Sequence, residues 1–170
     1  MGDTTQLTSL VNGPGGQRPL SMMNLLCSYD PVSAQVTIHT PIIAWAAARL
    51  GVEERALSNV AFLHATVYAA AHLGRDLDGR LWNDFGVPSA RDITYKPSLL
   101  LETLARYFSF RLLERLEDAA MTAAFERMNE QQPPEYQAWR RLRSHSIEAV
   151  RKILMRARAG LDGIIPFESA

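Results

Sequence analysis

Apolar residues recur at three- and four-residue intervals along most of this chain, the period of helices that pack by one face. Ile42, Ile43, Trp45, Ala46 and Leu50 form the first stripe. Pro41 suits a first helical turn, Thr40 is read as the N-cap before it, and Gly51 as the stop. A second helix is predicted over 53–73. Beyond Leu57 it is apolar almost all round, which places it at the centre of a domain. Further helices are predicted over 98–117 and 118–129, and Pro133-Pro134 restart the chain into a basic helical region, 135–159, broken near Ser144.

Only one stretch has the two-residue alternation of a strand. Val36 and Ile38 alternate with Gln35, Thr37 and His39, and the apolar run 22–27 precedes a turn-like 28–33 with Asp30 and Pro31 at its centre. The predicted fold is therefore mainly α (α+β), with a small β-hairpin near the N-terminus. Residues 1–20 carry Gly13-Pro14-Gly15-Gly16 and few large apolar side chains, the composition of a disordered tail. Residues 21–170 are expected to form a single mainly helical domain. Within it, 74–96 is a long polar segment that holds Trp82 and Phe85, and 164–167 is a short apolar tail.

Composition narrows the functional classes. The chain has 170 residues with 18 basic and 18 acidic side chains, so no global field calls for nucleic acid or an anionic membrane. Sixteen of the 18 basic residues are Arg, the better side chain for partly buried bidentate pairing. The lone Cys27 rules out an intramolecular disulfide and reads as a small core residue. No run reaches the ~20 apolar residues that span a bilayer, and the N-terminus lacks the pattern of a signal peptide, so the expected location is cytoplasmic.

The residues with most chemical interest lie on the central helix. His64, Tyr68 and His72 are spaced i, i+4, i+8 and share one face. Glu102, set among Leu99, Leu100, Leu101 and Leu104 on a later helix, needs a partner, because an unpaired buried charge is costly. Two helices that present His, Tyr, His and Glu to each other have the side chains of a metal site.

The order of strand, Pro-led helix, apolar helix with His64, a Gly-Arg-Asp-Leu-Asp-Gly-Arg-Leu-Trp segment and a helix carrying Glu102-Thr103-Leu104-Ala105 resembles the small zincin-like (gluzincin-type) metallopeptidase domains. The resemblance covers roughly residues 35–139. It implies that His64 corresponds to the first zinc histidine and Glu102 to the third ligand. The motif is degenerate: the water-activating Glu is replaced by Ala65 and the second histidine by Tyr68. Loss of a general base alone removes roughly 10²–10⁴-fold in rate. The resemblance therefore implies a catalytically impaired protein that acts by binding a protein or a small ligand, with His64 and Glu102 as vestigial metal positions and Tyr68 and His72 lining the cleft. No cofactor is required by this reading, and zinc stays open.

Two alternatives stand beside it. One is an active metal-dependent hydrolase with the shifted ligand set His64, His72 and Glu102, although ~12 Å of helix rise separates the two histidines. The other is a helical binding module whose basic C-terminal face, with Arg140, Arg141, Arg143, Arg151 and Lys152, contacts nucleic acid or an acidic partner. The residues also have plain structural readings: His64 as a core histidine, His72 as a cation at a helix C-terminus, Glu102 as the i, i+4 partner of Arg106, and the basic stripe as a solvated helix face. Asp76, Asp78 and Gly79 begin like a calcium loop, but Arg80 stands where an oxygen ligand is needed. Neither the partner nor the oligomeric state is legible.

Overall fold

A computed structural model describes residues 21–30, 32–73 and 97–158. The readings of 1–20 as a tail, of 74–96 with its Asp-Gly segment, and of the apolar 164–167 lie outside the described residues. The chain opens with a short helix α1 (Met22–Leu26) that runs into strand β1 (Cys27–Asp30), which pairs antiparallel with β2 (Gln35–Ile38). Cys27 faces Ile38 and Asp30 faces Gln35 in the register. Asp30 shapes the turn by accepting hydrogen bonds from Val32 N–H at 2.9 Å and from the Ser33 hydroxyl at 2.6 Å, the local bonding that favours Asp in turns. The expected hairpin is present, and the apolar run before it divides between a helical turn and the strand.

Helix α2 (Thr40–Leu50) follows. Its N-cap is His39, and Thr40, the residue expected there, is already helical. The reason is the hairpin: His39 N–H donates to Leu26 C=O at 2.9 Å, while its own carbonyl accepts from Ile42 and Ile43 N–H at 3.0 Å. His39 thus joins the hairpin directly to the helix. Gly51, at φ +66°, ends α2 in the left-handed region, where a side chain would be strained.

Helix α3 (Glu54–Leu73) packs against α1, α2, both strands, α4 (Pro97–Leu116) and α5 (Ala119–Glu130). The all-round apolar stretch is thus central, as its sequence predicts, with Leu57, Val60, Ala61 and Ala65 buried. Phe62 and Leu73, on its outer side, are exposed. Asp118 caps α5 by accepting from Met121 N–H at 2.9 Å. The basic region divides as expected into two pieces, but the first is a 3-10 helix (Pro134–Leu142) and only the second, α6 (Ile147–Arg158), is α-helical. No helix among the described residues is long and apolar enough to cross a membrane.

Trp139, on the 3-10 helix, joins the C-terminal half to the core. It is fully buried, with its ring centroid 5.2 Å from Phe125 and 5.6 Å from Phe110, in tilted and edge-on arrangements favourable for aromatic pairs. We predict that Trp139→Ala lowers unfolding free energy by about 3–5 kcal/mol, measured by urea denaturation. A loss below about 1 kcal/mol would show that this contact does not hold the 3-10 helix to α4 and α5.

Candidate functional site

The site is built where β1, the second half of α3 and the first half of α4 meet. A cavity of about 240 Å³ opens there, lined by Asn24, Cys27, Ser28, Tyr29, His64, Ala65, Tyr68 and Glu102. Two sequence-predicted residues, His64 and Glu102, come together across the α3–α4 seam, with Nε2 3.4 Å from Oε2. Both are buried, at 2% and 7% exposure. Tyr68 stands one helical turn beyond His64, the ring centroids 6.3 Å apart. His72 lies in the last turn of α3, and its side chain falls outside the described residues.

The third member of the cluster is Arg106. Its side chain is completely buried, and its Nη2 lies 3.4 Å from the same Glu102 oxygen. Nη2 also donates to the Ser21 hydroxyl at 2.6 Å, and Nη1 to the Tyr136 carbonyl at 3.1 Å. The guanidinium carbon sits 5.0 Å from the centroid of the Tyr136 ring, a cation–π contact. The i, i+4 spacing from Glu102 points to the pair. The partners from Ser21 and Tyr136, far along the chain, have no signal in the sequence.

These contacts set the protonation states. Burial pushes the Glu102 carboxyl up, but His64 and Arg106 together outweigh it and hold it below its ordinary value. Burial, reinforced by the Glu102 charge, raises the Tyr68 phenol to about 12. The same two causes raise the Cys27 thiol to about 12, against a smaller opposing effect of Arg106. Cys27, which also donates weakly to Met23 C=O, therefore stays a thiol at neutral pH and lacks the thiolate that nucleophiles and metals require. An ionised carboxylate can only accept, so Nε2 of His64 carries the hydrogen that faces it. Nδ1 is buried and has no hydrogen-bond partner among the described residues.

The donor set does not suit a divalent metal. Glu102 gives one oxygen to both His64 and a buried guanidinium, and a cation there would be repelled by Arg106. Tyr68, where the resemblance implies a second histidine, is held as a neutral phenol. Ala65, where it implies the general base, is an apolar wall of the cavity. No cluster of three or more His, Cys, Asp or Glu side chains suited to a metal is found among the described residues.

Two residues of the basic face, Arg140 and Arg143, make contacts within the fold. Arg140 and Arg143 both pair with Glu126, at 3.1 and 3.2 Å. Arg143 lies 4.4 Å over the Phe110 ring, and Arg140 lies 5.0 Å over that of Trp139. Arg111, on α4, adds bonds to the carbonyls of Arg143 and His145. These contacts clamp the junction between the 3-10 helix and α6. Arg141, Arg151 and Lys152 are exposed.

Sequence reasoning placed His64, Tyr68 and Glu102 together but missed the β1 wall. Cys27 reads as core, and Asn24, Ser28 and Tyr29 are ordinary polar residues around a turn. Only the hairpin register brings them to α3. Compared with known protein families, characterised proteins and solved structures, the chain matches none.

Two predictions follow from this electrostatic arrangement. Arg106→Met leaves Glu102 buried without its cation and should cost about 3–5 kcal/mol, while Arg106→Met combined with Glu102→Gln should recover part of that loss in a double-mutant cycle. Additive losses would mean that the two side chains are not coupled. The second concerns acid. Because the folded-state Glu102 carboxyl lies below its ordinary value of 4.5, the stability it contributes is fully present above that value. It is lost as pH falls through the lower, folded value. The stability gap between wild type and Glu102→Gln should therefore shrink steadily below pH 4.5, in urea melts across pH 3–7. A constant gap would show that Glu102 does not titrate with folding.

Proposed function

We propose that this chain is a catalytically impaired, zincin-like protein that acts through binding, with the cavity between β1, α3 and α4 as its ligand site. One observation carries the reading: the carboxylate at the third ligand position of the resemblance is shared by His64 and the buried Arg106. A fixed guanidinium supplies the positive charge that a metal would otherwise bring to this pair, so the cleft keeps its two helices in register without an ion. Two further points favour binding over hydrolysis. The position of the water-activating carboxylate is Ala65, and among the described residues no second carboxylate lines the cavity beside Glu102 to take its place. The cavity is concave and mixed in polarity, the character of small-ligand sites.

The occupant is a small ligand or a segment of a partner protein. The cavity supports either, because β1 forms one wall and the α3–α4 pair the other. The basic face is the less favoured surface, since Arg140 and Arg143 are already paired with Glu126 and stacked on the aromatic cluster.

The test is metal analysis of the purified, untagged protein with zinc titration of wild type and His64→Ala. We expect no stoichiometric zinc in either protein and no rise in Tm on adding zinc. One zinc per chain in wild type, lost in His64→Ala, would overturn the reading and restore a metalloenzyme.

A further inference from the structure

We draw no further inference here: the strongest candidate, the exposed apolar side of α3 marked by Phe62 and Leu73, is a helix face alone, and nothing among the described residues shows what covers it.

Discussion

A fully buried guanidinium, Arg106, is the constraint around which the N-terminal half of this fold is arranged. Arginine keeps its charge even here, since burial lowers its pKa from a value too high for deprotonation to compete. The fold must then bring acceptors to it. It recruits Glu102 from the preceding turn of the same helix, Ser21 from the start of the described chain and the Tyr136 carbonyl from the 3-10 helix. Two segments distant in sequence are thereby tied to one point on α4. Gln132 adds a nearby tie by accepting from Met22 N–H at 3.2 Å. The N-terminal segment is thus held against α4 and the 3-10 helix, and α1 leads directly into β1.

The candidate site is a consequence of that arrangement. With α1 anchored, β1 leaves it toward the outer half of α3, and the pairing of Cys27 with Ile38 returns the chain to His39, where α2 begins. The hairpin therefore has little freedom to slide, and its wall of Cys27, Ser28 and Tyr29 is set opposite His64 and Tyr68. Glu102 belongs to both systems. It neutralises Arg106 on one side and orients His64 on the other, so the structural ion pair and the polarity of the cavity are linked through a single carboxylate.

Much of the helical framework was legible because its signals are local. The period of Ile42, Ile43, Ala46 and Leu50, the stop at Gly51 and the restart at Pro133-Pro134 each act within a few residues, and the helices lie within one or two residues of the expected bounds. The failures have a common physical origin. Thr40 lost the N-cap to His39 because a backbone hydrogen bond from His39 to Leu26, just beyond the sheet, fixed the entry to α2. The region after Pro134 formed a 3-10 helix where the sequence predicted continued helix. There Trp139 fills the space between Phe110 and Phe125, and Gln137 bonds the carbonyls at the end of α5. Tertiary contacts decided both, and no local propensity encodes them.

The site itself was half legible for the same reason. His64 and Tyr68 share a face by helical geometry, and Glu102 announces itself as a carboxylate among leucines. What the sequence left open was whether Glu102 answers a metal, a histidine or Arg106. The structure joins the last two on one oxygen. A carboxylate that faced only His64 would be free to take a cation, whereas one balanced from behind by a permanent charge presents polarity without net charge. The i, i+4 spacing to Arg106, an ordinary feature of helix surfaces, acquires its consequence only because both residues are buried. Spacing identified the pair, and burial gave it its structural weight.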